Sequence, residues 1–164
     1  MKKSGVAFLG LFTAFAMILS FVESQIPSPT NGIIPGVKLG LPNIAVIIVL
    51  YRFGFKEAFI VSMLRVLLTS LLFGNFESML FSIAGAFLSF IMMLLLKNAF
   101  SIVTVSVVGA VSHNVGQIFM AIFITDTPAL LSWLPFLMIT GVIAGVIIGL
   151  VAASAYKRIS ALEF

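Results

Sequence analysis

Long, continuous apolar stretches dominate this chain, and they leave few folds open to it. Of its 164 residues, 62% are hydrophobic and 9% are charged, and the mean hydropathy is +1.28. Soluble domains have about 45–50% apolar and about 25% charged residues, so a water-soluble fold of this length cannot bury so much apolar surface. The stretches also lack the alternation of apolar and polar residues that a membrane β-barrel requires. We therefore predict an all-α integral membrane protein.

Six of these stretches are candidate membrane helices, which need about 20 mainly apolar residues each. We predict one transmembrane domain over residues 1–164, a bundle of six helices at about residues 5–23, 39–53, 55–73, 78–96, 101–124 and 132–156. The second stretch is short, which predicts that it either tilts little or begins inside the membrane. The start of the chain resembles a signal peptide, but the first run is long and lacks a small-residue cleavage site. It is therefore predicted to remain as a helix.

The distribution of Lys and Arg predicts the orientation in the membrane. With six helices, seven cations fall on one side: Lys2, Lys3, Arg52, Lys56, Lys97, Lys157 and Arg158. The opposite side has Lys38 together with Glu77 and Asp126. Because cytoplasmic loops are enriched in Lys and Arg, both termini are predicted to be cytoplasmic in a multi-pass protein of the cell membrane. The basic pI is then explained by these orientation-determining Lys and Arg residues, and it gives no reason to expect nucleic-acid binding.

One connection, from Ser24 to Val37, is long and contains three prolines and two glycines. Lipid cannot satisfy the backbone of such a segment, so it must lie in water or against protein. It is either a simple linker or a lid over a site, and its three isoleucines favour the lid. The residues that follow, 35–43, offer free backbone N–H groups near a helix start, which suits an anionic group. Lys38 adds a full charge there, and Asn43 lies at the helix entry.

Ionisable residues inside a membrane are costly, at about 2.5–3.5 kcal/mol each, and mark functional sites. Glu23 and Arg65 are of this kind, and Arg65 lies too deep in the third stretch for easy snorkelling. It needs an anion: Glu23, Glu77 or a ligand. A buried ion pair that fixes the helices and a direct contact with ligand are both open. Asn75, at the outer end of the same stretch, either lines a cavity mouth or is an exposed turn residue.

The fifth stretch has the densest polar cluster, formed by His113, Asn114 and Gln117. His113 and Gln117 are four residues apart and share a helix face, whereas Asn114 points about 100° away. Each buried amide needs several partners. The cluster either binds a ligand or joins helices by hydrogen bonds, and we predict that it binds a ligand.

Small residues predict close helix–helix contacts. Gly141, Gly145 and Gly149 recur at every fourth position of the sixth stretch, whereas Gly10 and Ala14 form a weaker pair on the first. Such rows serve either internal packing or a partner protein.

Several kinds of chemistry are absent from the sequence. Asp126 is the only aspartate, so paired aspartates for magnesium and diphosphate chemistry do not occur. One histidine and no cysteine argue against catalytic zinc, and no Walker-type loop is present. We therefore predict no catalytic residues, no metal and no cofactor, and a protein that is not an enzyme.

Several blocks of sequence resemble the Gx transporter family, often labelled heptaprenyl diphosphate synthase component I. They are ILSFVESQIP (18–27), PGVKLGLPNI (35–44), RVLLTSLLFG (65–74), FSIAGA (81–86) and VGAVSHNVGQ (108–117). One departure is Pro42, where the family pattern has alanine, and this is expected to disturb the entry to the second helix.

The family is similar to the substrate-binding (S) components of energy-coupling factor (ECF) transporters. The resemblance implies a six-helix protein that captures a small molecule from outside and pairs with a transmembrane coupling protein and two ATPases. Gly10 and Ala14 would then form the docking face. The cations and the abundant Phe suggest a ligand with an anionic or zwitterionic group and an aromatic or isoprenoid part. Two alternatives are an accessory membrane subunit of a prenyl diphosphate synthase and a scaffold without a ligand.

Overall fold

A computed structural model describes residues 3–26 and 40–161, with the side chains of residues 3 and 4 left out. The described ranges contain helices and no strands, so the predicted all-α class is confirmed. The helices are α1 (Lys3–Ser24), α2 (Asn43–Arg52), α3 (Phe55–Phe73), α4 (Phe76–Leu96), α5 (Ile102–Thr125) and α6 (Leu134–Ser160), with a 3-10 turn at Pro128–Trp133 before α6. Within these ranges, four helices are long and apolar enough to cross a membrane: α1, α4, α5 and α6.

The second helix starts later than the predicted residue 39, because the chain makes a turn first. Gly40 has a φ of +84°, which suits glycine and ends any helix there. Pro42 is buried at the N-cap of α2, and its carbonyl accepts a hydrogen bond from Ala45 N at 3.1 Å. Proline is tolerated at a helix start because its missing N–H would be unpaired anyway. The expected disturbance is therefore a short turn over 40–42, after which α2 forms normally.

Helix α2 lies in the interior of the bundle. Its residues from Ile44 to Leu50 are all buried, which is typical of a helix surrounded by protein. It contacts α1, α3 and α6, and its core cluster extends to Phe90 and Met93 of α4 and Val105 of α5. Ten residues of helix are about 15 Å long, half of a hydrocarbon core of about 30 Å. Of the two alternatives predicted for this short stretch, the length favours a helix that begins inside the membrane.

Aromatic contacts bring one set of helix ends together. Tyr51 near the end of α2 donates a hydrogen bond to the Lys97 carbonyl after α4 at 3.4 Å, and its ring lies 5.9 Å from that of Tyr156 near the end of α6. The ring centre of Phe8 in α1 likewise lies 5.7 Å from the ring centre of Phe53. This end, called the basic end below, has the described cations Arg52, Lys56, Lys97, Lys157 and Arg158. Five of the seven cations predicted to share one side therefore lie at this end, and their cytoplasmic placement stays a prediction.

Glycines allow α4, α5 and α6 to pack backbone against backbone. A Cβ atom added to Gly145 of α6 would lie 2.6 Å from Val107 Cα of α5, and one at Gly149 would lie 2.8 Å from Val103 Cα. On the other face of α5, a Cβ at Gly116 would lie 2.8 Å from the Ala84 carbonyl oxygen of α4. The glycine row of α6 therefore serves internal packing, which was one of its two predicted uses.

Candidate functional site

A buried carboxylate ties the end of α1 to the entry of α2. Glu23 lies in the last turn of α1 and is 5% exposed. Its Oε1 accepts hydrogen bonds from Gly40 N and from Leu41 N, the latter at 3.4 Å. Hydrogen bonds to an ionised acceptor are stronger than neutral ones, so this contact fixes the turn before α2. The backbone N–H groups predicted to suit an anion are thus used, at Gly40 and Leu41, by the protein's own carboxylate.

The turn held by Glu23 leads to a second polar contact, between α2 and α3. Arg65 Nη2 donates to Asn43 Oδ1 at 3.3 Å. Asn43 lies nine residues before Arg52, and Arg65 lies ten residues after Phe55, so a rise of 1.5 Å per residue puts both about 15 Å from the basic end. The contact therefore lies about halfway through a bilayer.

Arg65 has unused hydrogen-bonding capacity at this depth. The residue is 8% exposed, and its Nε atom is buried without a hydrogen-bond partner among the described residues. Burial disfavours the charge of the guanidinium, and the Glu23 carboxylate, one of the anions predicted for it, offsets part of this effect. A guanidinium has five N–H donors, and a buried donor left unpaired costs about 1–3 kcal/mol. The site therefore favours an additional acceptor, such as a carboxylate or phosphate oxygen.

The polar cluster of α5 divides between two neighbouring helices. Asn114 Nδ2 donates to the Leu137 carbonyl of α6 at 2.7 Å, which is a helix–helix hydrogen bond. His113 and Gln117 pack against α4, where a Cβ at Gly85 would lie 3.0 Å from His113 Cε1 and 2.7 Å from Gln117 Cγ. Gln117 is buried and His113 is half-buried. Their shared face, predicted from the spacing of four, is therefore the face toward α4.

The remaining predicted site residues lie apart from these groups. Asn75 is exposed and caps α4, and its Oδ1 accepts from Ser78 N at 2.8 Å. This agrees with the interpretation of Asn75 as an exposed turn residue. Lys38 and the proposed lid, apart from residues 24–26, lie outside the described residues. The structure thus brings together Glu23, Asn43 and Arg65.

Two further polar residues of α3 accompany Arg65 and were not predicted. Ser62 and Thr69 are buried, and they lie three residues before and four residues after Arg65, on its face of the helix. Thr69 Oγ1 donates to the Arg65 carbonyl at 2.7 Å. Polar residues spaced at positions 62, 65 and 69 of the sequence would have predicted this polar stripe.

The predicted docking residues lie on an open surface of α1. Gly10 and Ala14 are both exposed, and a Cβ atom added to Gly10 would meet no atom within 4 Å. An apolar groove continues from Ala14 along Met17, Ile18 and Phe21 to Phe73 of α3. This surface is accessible to lipid or to another protein.

The fold and site define an all-α membrane protein with a short internal helix whose entry holds a buried acid, amide and guanidinium. Comparison with known families agrees with this class. The family model described as heptaprenyl diphosphate synthase component I matches residues 12–155, and the chain belongs to that family. No curated protein and no solved structure matches this chain.

Proposed function

We propose that this protein is the substrate-binding membrane subunit, or S component, of an ECF-type transporter. In this role it captures a small molecule from the extracellular side, and partner subunits supply ATP-driven uptake. The observation that carries the proposal is Arg65, a cation buried at mid-membrane depth with a donor atom unpaired among the described residues. A charge retained there at such a cost is better explained by a ligand than by packing alone.

The ligand we propose is a small anionic or zwitterionic molecule with an apolar part. Arg65 would contact its anionic group, with Asn43 beside it and Glu23 holding the turn that shapes the entry. Lys38, His113, Asn114 and Gln117 are proposed as further contacts, and Asn75 as a weaker one. Phe and other apolar side chains of the bundle would accommodate the aromatic or isoprenoid part.

The energy for uptake would come from other proteins. Gly10 and Ala14 offer a smooth exposed surface on α1, which suits close approach of another helix in lipid, where small residues drive association. The proposed partners are a transmembrane coupling protein and two ATPases, in the cell membrane. The chain itself is proposed to have no catalytic activity.

A second candidate function rests on the family description, which names a component of heptaprenyl diphosphate synthase. In that case the protein is a non-catalytic membrane subunit of prenyl diphosphate or isoprenoid-quinone synthesis. Adding the purified protein to a soluble prenyl synthase and measuring chain length and rate separates the two candidates. A change in either quantity favours the synthase subunit, and no change together with a bound small molecule favours the transporter.

The decisive experiment is native mass spectrometry of the purified protein, followed by titration with any co-purified molecule. Losing a hydrogen bond to a charged group costs about 1.5–3 kcal/mol, so Arg65→Ala should weaken binding about tenfold or more. Arg158→Ala, which removes an exposed arginine at the basic end, is the matched control and should bind normally. If Arg65→Ala binds normally while melting earlier, Arg65 is structural and the proposed site is wrong.

A further inference from the structure

A small hydroxyl-lined pocket lies between α1, α3 and the start of α4, about one helical turn beyond Arg65, and it shares Thr69 with the polar stripe of α3. Its polar lining comes from Ser20 and Ser24 of α1, Thr69 and Ser70 of α3, and Ser78 of α4. Its volume is about 30 Å³, which is enough for one or two water molecules or ions of similar size. Gly74 keeps it open, because a Cβ atom there would lie 2.9 Å from Ser78 Oγ.

Three hydroxyl groups of this pocket, on Ser20, Ser24 and Thr69, present acceptors, because their protons are already used. Ser20 Oγ donates to the Ala16 carbonyl at 3.0 Å, and Ser24 Oγ donates to the Phe21 carbonyl at 2.7 Å. Thr69 Oγ1 donates to a carbonyl of α3 in the same way. A carbonyl oxygen can only accept, so the direction of each bond is fixed. Each of the three oxygens keeps at least one lone pair for another partner, although Ser24 Oγ also accepts from Gln25 Nε2 at 3.1 Å.

The helices around the pocket add negative potential. Helices α1 and α3 end at Ser24 and Phe73, so the carbonyl ends of two helices converge beside it. Helix C-termini favour cations. Helix α4 begins nearby, but the N–H of Ser78 in its first turn is paired with Asn75 Oδ1 at 2.8 Å. Two helix C-termini and one capped N-terminus therefore surround the pocket.

We propose that this pocket binds one small monovalent cation of the size of sodium. Hard cations prefer oxygen ligands, and Ser20, Ser24 and Thr69 supply hydroxyl oxygens whose protons are donated to helix carbonyls. The pocket has no carboxylate in its lining, so the second charge of a divalent cation would have no compensation. Its volume excludes an organic ammonium. The site does not depend on the identity of the transported molecule.

The test is the melting temperature of the purified full-length protein in detergent, in sodium chloride and in choline chloride at equal ionic strength. A ligand that binds the folded state alone raises the melting temperature, and we expect an increase of about 2–4 °C in sodium. Thr69→Val keeps the side-chain shape and removes the hydroxyl, and Ser20→Ala removes another; each should lose most of the sodium-specific increase. Ser154→Ala is the matched control, because Ser154 makes the same kind of bond to Leu150, at 2.8 Å, on the exposed surface of α6.

The sodium-dependent difference separates ion binding from a merely structural role, since a structural change lowers both melting temperatures equally. Equal melting temperatures of the wild-type protein in the two salts mean that the pocket holds water, and the proposal is then wrong. It is also wrong if both variants keep the full sodium-specific increase. Should Thr69→Val fail to fold, Ser20→Ala decides the question, with sodium NMR linewidths as a second measurement.

Discussion

The two halves of the bundle are held together by different chemistry. Helices α4, α5 and α6 pack through glycines. At Gly116 and Gly145 the backbones of neighbouring helices are so close that there is no room for a Cβ atom. Helices α1, α2 and α3 are joined by a buried carboxylate, an amide and a guanidinium, with α1 mostly exposed. In lipid, close packing of small residues holds helices together without charge, whereas buried charges are costly and usually functional. The α4–α6 half is thus the glycine-packed scaffold, and the α1–α3 half contains Glu23, Asn43 and Arg65 of the proposed site.

The largest effect on stability is expected in the glycine-packed half. Gly145→Leu would force a side chain into Val107, whose Cα lies 2.6 Å from the position of the first added carbon. Overpacking a core costs about 1–3 kcal/mol for small additions, and backbone cannot move aside as a side chain can. We expect little monodisperse protein after purification. Normal yield and melting temperature would contradict the packing of α5 against α6.

The next effect is expected at the charged contact of the other half. Glu23→Ala removes the acceptor of the Gly40 and Leu41 N–H groups and the carboxylate that stabilises Arg65. A buried donor left unpaired costs about 1–3 kcal/mol, and the loss of the Glu23 charge near Arg65 adds to this. Thermal or denaturant unfolding measures the loss.

A double-mutant cycle tests whether Glu23 and Arg65 act together. If they do, Glu23→Ala combined with Arg65→Ala should destabilise the protein by less than the sum of the single changes. Additive losses would mean that the two residues are independent, and that Glu23 only fixes the turn before α2.

A smaller effect is expected at Asn114, where the polar cluster meets the scaffold half. Asn114→Leu removes the hydrogen bond to the Leu137 carbonyl, which still accepts from Thr140 Oγ1 at 3.1 Å, so the loss should be that of one hydrogen bond, about 0.5–1.5 kcal/mol. Asn114 was predicted to bind ligand, so substrate affinity of the same variant is the informative readout. Unchanged affinity with lower stability would assign Asn114 to the scaffold. Weaker binding, at a temperature where the variant is fully folded, would assign it to the site.

The elements predicted best from the sequence are those with local signals. Helix α3 has its predicted bounds, because Gly54 and Gly74 flank a continuous apolar run. The start of α2 was predicted too early, because apolar residues around Gly40 and Pro42 look helical in composition, although their backbone preferences favour a turn.

The contacts of the site were harder to predict, since they depend on tertiary structure. The sequence indicated that Arg65 needs an anion, which could be Glu23, Glu77 or a ligand, and Glu23 acts on it electrostatically. Its direct hydrogen bond to Asn43 requires α2 to be short and internal, so that its first residue meets the middle of α3. No local pattern encodes that depth. Likewise, the spacing of His113 and Gln117 predicted a shared face, but only packing decides that α4 covers it.

The smallest effect on stability, and a large effect on transport, are expected on the exposed surface of α1. Gly10→Leu adds a side chain where no neighbouring atom lies within 4 Å, and Ala14 is also exposed. Exposed substitutions usually change stability by less than about 0.5 kcal/mol, so Gly10→Leu and Ala14→Leu should melt like the wild-type protein. This contrasts with Gly145→Leu, which puts the same side chain at another membrane glycine.

If α1 docks the coupling protein, both α1 variants should abolish uptake in cells, because a bulky residue prevents close helix approach, while ligand affinity stays the same. Normal uptake by both variants would remove α1 as the docking surface. Accumulation of substrate by this chain alone in proteoliposomes, without ATP, would overturn the transporter assignment and indicate an ion-driven carrier.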